Sequence, residues 1–307
     1  MIDKLIDKIT EKRSPVCVGL DTQMDYIPTD MLSGDNSDPL RYAARNIFTF
    51  NSAIIEAVWD VVPCVKVQSA YYEMYGYPGV EAFYKTIQYA KDKGLVVIAD
   101  VKRNDIGPTA AAYSAAYLGR TRVGGEEVAP FDADFITVNG YLGTDGVKPF
   151  LDDCNRLGKG IFVLVKTSNP SSGELQDLES GGKMVWEHMA DMVDKWGAGL
   201  IGKYGYSSVG AVVGATYPKQ AKAHREAHPS VFVLIPGYGA QGATAKDIAP
   251  NFDKKGLGGI VNSSRAILTA YRDKKYKSKS FDAAARACAE DTRSDIVQAI
   301  QRQAEQE

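Results

Sequence analysis

Eight short runs of apolar and β-branched residues punctuate the chain, each the length of a buried strand. They are 17–21 (CVGLD), 64–68 (CVKVQ), 95–102 (LVVIADVK) and 134–140 (DFITVNG) in the first half. In the second half they are 160–168 (GIFVLVKTS), 209–216 (VGAVVGAT), 231–237 (VFVLIPG) and 258–264 (GGIVNSS). Between them, apolar positions recur every three or four residues, the helical period, over 45–62, 81–94, the alanine-rich 107–119 and 183–197. The opening MIDKLIDKITEKRSP has the pattern of an amphipathic helix, and a last one begins near Ser280 and runs out into QRQAEQE. Alternating strands and helices predict an α/β chain, a closed (β/α)8 barrel forming one domain over residues 1–307. A doubly wound open sheet would want a glycine-rich dinucleotide loop after the first strand, where Gly19-Leu20-Asp21 stands instead.

The polar residues that break the apolar runs cluster at their carboxyl ends, where barrels of this type carry their chemistry. The third run ends in ADVKRNDIG, and strand alternation puts Asp100 and Lys102 on one face, with Asp105 beyond the strand before Gly107-Pro108. Charge at the end of a buried strand is costly unless it is paired, so this D-x-K-x-x-D cluster calls for an ionic network. The second run supplies Lys66 and Gln68, also two apart, and the first ends on Asp21. Neighbouring strands then bring Lys66 to Asp100, giving an alternating Lys66–Asp100–Lys102 array in which each charge keeps its neighbours ionised. The fourth run adds Asn139 and the fifth Lys166, Thr167 and Ser168. After the seventh comes PGYGAQG (236–242), from which Pro236 and Gln241 are candidates, and after the eighth Ser264 and Arg265 open a helix. Loops in these two positions form a recurrent phosphate pocket, with backbone N–H groups and an arginine fork as donors.

Composition narrows the function classes. With 36 basic and 38 acidic residues the net charge is −2, which gives no electrostatic case for nucleic acid or a membrane surface. The first residues lack the apolar core of a signal peptide, and no later run is long enough to span a bilayer, so a cytoplasmic protein is expected. Cys17, Cys64, Cys154 and Cys288 lack metal-type spacing and read as buried free thiols. His224 and His228 are four apart, but AKAHREAHPS reads as a solvated helix end rather than a metal pair. No motif for an electron-sink cofactor is present, so neither cofactor nor metal is expected.

These motifs resemble those of the orotidine 5′-monophosphate decarboxylase family. ADVKRNDIGPT carries the resemblance most closely, supported by VGLD, VKVQSAYYE, VKTSNPSSGEL, VVGAT, IPGYGAQG and NSSR over most of the chain. The long connection 22–61 and TSNPSSGELQDL are similar to the longer, type 2 subfamily. The resemblance implies that Lys102 protonates the carbon that loses carbon dioxide, that Asp100 lies beside the substrate carboxylate, and that Lys66 bridges Asp100 and the ribose. It also implies that Asp21 holds ribose hydroxyls, Ser168 with Thr167 meets the pyrimidine amide edge, and Gln241 and Arg265 grip the 5′-phosphate. Asp105, Ile106 and Thr109 would reach into a partner subunit's pocket, which implies a homodimer with shared sites. Many relatives have Gly-Arg where this chain has Ser264-Arg265, which opens the question of what the Ser264 hydroxyl does.

Three other readings remain at this point. A sugar-phosphate decarboxylase or aldolase using the same motif with magnesium would want an acidic residue where Gln68 stands. An isomerase or indole-forming barrel would want a strand-end glutamate. A non-catalytic barrel would leave its buried charges without use.

Overall fold

The computed structural model describes residues 1–239 and 242–306. Eight parallel strands close into a barrel. In chain order they are β1 (Val16–Gly19), β2 (Cys64–Gln68), β3 (Val96–Arg103), β4 (Phe135–Val138), β5 (Gly160–Lys166), β6 (Val209–Val213), β7 (Val233–Ile235) and β8 (Gly259–Ser263). β8 pairs with β1, joining Val16 to Val261 and Val18 to Ser263, and this pairing closes the ring.

Each strand is buried on both faces, which is why the sequence shows continuous apolar runs rather than alternation. One face packs outward against the helices and the other fills the barrel. The inner layer at the amino-terminal end holds Phe135, Phe162 and Phe232, with the Phe135 and Phe162 rings stacked at 5.0 Å. Gly160 makes room for that stack, since a Cβ there would stand 2.2 Å from the Phe135 ring. The amphipathic helix Ile2–Lys12 plugs this end by laying Ile2, Leu5, Ile6 and Ile9 into the same cluster. The bottom of the barrel is therefore closed by apolar packing, with Asp134 and Ser208 at its rim bonded to Val97 and to the first helix. The cleft is left to the carboxyl end.

The long helix Pro39–Val58 begins where Asp38 accepts a hydrogen bond from the Arg41 N–H and proline occupies the first turn. It packs on Gly76–Asp92 and on the last helix, Phe281–Ala304. Two small antiparallel hairpins, Thr121–Val123 with Glu126–Val128 and Glu179–Ser180 with Lys183–Met184, were not expected from the sequence. Among the described residues no helix is long and apolar enough to cross a membrane. The four cysteines are free and buried. His224 and His228 are buried too, contrary to the solvated helix end expected, because the helix Pro218–Ala227 turns them beneath the surface.

Candidate active site

The carboxyl ends of the strands assemble one polar network. β2 turns Lys66 and Gln68 inward, with Gln68 paired in register to Asp100 on β3. The Lys66 ammonium lies 3.0 Å from Asp21 Oδ1 and 3.0 Å from Asp100 Oδ2. Lys102 Nζ is 2.6 Å from the other oxygen, Asp100 Oδ1. Gln68 Nε2 and Thr137 Oγ1 donate to Asp100 as well, each at 2.8 Å. Burial pushes the Asp100 carboxyl up, but Lys66 and Lys102 beside it, with the Lys102 and Thr137 hydrogen bonds, hold it well below the usual carboxylate range. Burial likewise works against the Lys66 ammonium, yet Asp21 and Asp100 overcome it and hold the lysine charged. Asp100 is thus a fixed anion between two cations.

Lys102 does not reach this place by regular strand alternation. Its φ is +47°, a left-handed conformation uncommon outside glycine, and the pairing of β3 with β4 is irregular between Ala99 and Arg103. The Lys102 N–H donates to Thr137 Oγ1 at 3.0 Å, so one threonine hydroxyl pins both the kinked backbone and the Asp100 carboxylate. Strain of this kind persists only where surrounding structure enforces it, and it gathers at functional sites.

The network continues to β8. Ser264 Oγ donates to Asp21 Oδ2 at 2.7 Å and accepts from Asn262 Nδ2 at 3.1 Å. Gly19 permits this, because a Cβ there would lie 1.9 Å from Ser264 Oγ. On this side a cavity of about 390 Å³ is bounded by Asp21, Tyr26, Tyr71, Gly237, Tyr238 and Arg265. A second, of about 560 Å³, opens on the β5 side between Lys102, Thr137, Thr167, Ser168 and Gln176. Lys66, Asp100, Pro236 and Asn262 line both, so the two are halves of one cleft. Among the described residues no group of three or more His, Cys, Asp or Glu side chains is placed to hold a metal ion.

A sequence model of the orotidine 5′-phosphate decarboxylase / HUMPS family matches residues 14–281. The chain belongs to that family. It is 46% identical to the orotidine 5′-phosphate decarboxylase of Caldicellulosiruptor saccharolyticus, over 88% of this chain and 90% of that one. It is 44% identical to that of Clostridium perfringens, over 97% and 98%. The solved OMP decarboxylase of Leishmania donovani superposes with a TM-score of 0.74 at 26% identity, covering 98% of each chain. A Toxoplasma gondii structure given the same enzyme assignment reaches 0.81 at 30% identity, over 99% of this chain and 98% of its own.

In this decarboxylase-family barrel the cleft collects Asp21, Lys66, Gln68, Asp100, Lys102, Thr167, Ser168, Pro236, Ser264 and Arg265. Asp105, Ile106 and Thr109 lie outside it. Ile106 and Thr109 are exposed, and Asp105 Oδ1 accepts a hydrogen bond from the Ile106 N–H at 2.8 Å. Gln241 falls outside the described residues. Two strand-end expectations are corrected. Asn139 is exposed and bonded to the Tyr141 N–H, because β4 ends at Val138 and Thr137 is the residue that faces the cleft. Lys166 is fully buried and lines neither half, because a register shift in the β5–β6 pairing moves it off the inner face. Thr137, Gln176 and Asn262 were missed. Only Asn262 carried a usable signal, as an amide in an otherwise apolar strand.

Proposed function

We propose that the chain converts orotidine 5′-monophosphate to uridine 5′-monophosphate and carbon dioxide, the decarboxylation of de novo pyrimidine synthesis, without cofactor. The observation that carries this reading is the Lys66–Asp100–Lys102 array on the wall of the cleft. A fixed carboxylate there meets the substrate carboxylate, and a flanking ammonium meets the charge left when that group departs. The bond from the pyrimidine ring to the carboxylate breaks, its electron pair stays on the ring carbon, and Lys102 Nζ delivers a proton to that carbon. The Lys102 side chain is 47% exposed, so water can restore the proton. Asp100 pushes on the carboxylate in the ground state and is relieved as carbon dioxide forms.

The remaining roles follow the two halves of the cleft. Arg265 and the 236–242 loop, to which Gln241 belongs, take the 5′-phosphate. Gly237 and Gly239, at φ of +99° and +71°, let the backbone turn tightly there. Asp21 and Lys66 hold the ribose, while Ser168 and Thr167 meet the pyrimidine amide edge. Gln68 and Ser264, also on the cleft wall, brace Asp100 and Asp21 through hydrogen bonds. Two subunits complete each other's sites through Asp105, Ile106 and Thr109, an arrangement supported by the exposure of Ile106 and Thr109 and by the place of Asp105 beyond β3.

The test is the loss of ultraviolet absorbance of orotidine monophosphate, with and without chelator. Turnover that survives the chelator and falls more than tenfold in Lys102→Ala, a barrier change above about 1.4 kcal/mol, is expected. A requirement for added divalent metal would instead favour the magnesium-dependent sugar-phosphate reaction.

A further inference from the structure

The Lys166 ammonium takes no part in the cleft, yet no part of its side chain is exposed. Nζ donates to Asp177 Oδ1 at 2.7 Å and to Ser172 Oγ at 3.3 Å, and lies 4.4 Å from the centroid of the Tyr217 ring. Ser172 and Asp177 belong to the connection after β5, and Tyr217 to the one after β6. A buried ammonium is tolerated only when it is paired and hydrogen-bonded, so these groups are held to it. Asp177 itself is 40% exposed, and the ion pair therefore ties the barrel wall to a segment that reaches water.

The same segment is latched elsewhere. The Thr167 N–H donates to Gln176 Oε1 at 3.0 Å, and Gln176 Nε2 donates to Thr167 Oγ1 at 2.8 Å. Ser172 Oγ and Tyr217 Oη are 2.9 Å apart. Gly173 lets the turn close, since a Cβ there would stand 2.8 Å from Asp177 Oδ2. Between these fastenings Asn169, Ser171, Glu174 and Leu175 face the β5 half of the cleft.

We propose that Lys166 is a positioning residue that stakes residues 169–177 over the β5 half of the cleft and so sets how tightly the base end of the ligand is held. It does this without touching the ligand. The inference rests on the functional reading above, which places the pyrimidine in that half and the phosphate in the other. Removing the charge leaves the Thr167–Gln176 latch but frees Asp177 and the turn before it. The effect is therefore confined to the base end.

Calorimetry of Lys166→Met with uridine 5′-monophosphate and with ribose 5-phosphate separates the two ends. Methionine fills similar volume and strands only the half-exposed Asp177, so the barrel should fold. Uridine monophosphate is expected to bind at least tenfold more weakly, ribose 5-phosphate within twofold of wild type, and subtilisin to cut within 169–182 more readily. Asp177→Asn, on a side chain that reaches solvent, should move the same quantities in the same direction and carries the test if Lys166→Met folds poorly. Equal weakening of both ligands would mean a general loosening of the barrel and would overturn the proposal, as would unchanged affinity for both. A wild-type protein that binds neither ligand sinks the functional reading and this inference with it. One that binds both, with variants that match it, sinks this inference alone.

Discussion

At the residue scale, the charges of the site were legible because charge in a buried strand has few innocent explanations. Lys66, Asp100 and Lys102 stood out for that reason, and both lysines are within ion-pairing distance of Asp100. Thr137 was invisible because threonine is an ordinary strand residue, and its role comes only from the kink it holds. Thr137→Val keeps the shape but removes the acceptor for the Lys102 N–H and one donor to Asp100. Leaving a buried N–H unpaired costs about 1–3 kcal/mol, so turnover should fall roughly ten- to a hundredfold while the Michaelis constant changes little. Wild-type turnover in that variant would mean that packing alone holds the left-handed Lys102. Gly19→Ala makes a sharper case, because the new methyl would occupy the place of Ser264 Oγ, 1.9 Å away. Asp21 would lose its serine donor, and steady-state kinetics should show weakened substrate binding in a barrel that circular dichroism finds intact.

At the element scale, the barrel was readable because eight buried runs alternated with helical periods, and seven-residue or longer strands such as β3 and β5 signal strongly. Period-two reasoning failed where the strands are irregular: at β5 the pairing passes from Val212–Leu164 to Val213–Lys166, and Lys166 leaves the cleft face. The hairpin around Gly124 was missed because Val123, Glu126 and Val128 are all exposed, so no buried face leaves a pattern. In the helix Pro218–Ala227 a polar sequence concealed His224, which is 1% exposed and has no hydrogen-bond partner for either ring nitrogen among the described residues. Burial, with Arg225 and His228 adding smaller effects of the same sign, pushes its pKa down to about 3 from 6.5. The unfolded chain protonates this ring below about 6.5 and the folded one only near 3, so the unfolded state binds more protons between those values. Stability present above pH 6.5 is then lost as pH falls, by about 2 kcal/mol between pH 7.5 and 5 from this ring. Urea midpoints at the two pH values should show a shallower decline in His224→Leu than in wild type. Parallel declines would show that the ring is not held neutral.

At the scale of the whole molecule, the closed apolar bottom and the polar top explain why one end of the barrel carries the cleft, and that asymmetry was legible in where the polar residues interrupt the strands. The last member of the D-x-K-x-x-D motif, Asp105, does not line the cleft of its own chain. Asp100 and Lys102 meet at 2.6 Å, whereas Asp105 lies past the end of β3, and the exposed Ile106 follows it on the approach to the helix Gly107–Tyr117. On the reading proposed above, that carboxylate completes an alternating Lys66–Asp100–Lys102–Asp105 array in another copy's cleft. If it does, Asp105→Ala and Lys102→Ala subunits, each inactive alone, should restore activity when mixed. A mixed dimer then holds one site with both residues intact and one with neither. Under random exchange about half the dimers are mixed, so roughly a quarter of wild-type turnover should return, a ceiling set by two-fold symmetry. The measurement is decarboxylation after mixing, with exchange verified by native mass spectrometry of differently tagged chains. Exchange without recovery would place Asp105 within its own subunit's chemistry, and recovery well above a quarter would require an assembly larger than a dimer or sites that do not act independently.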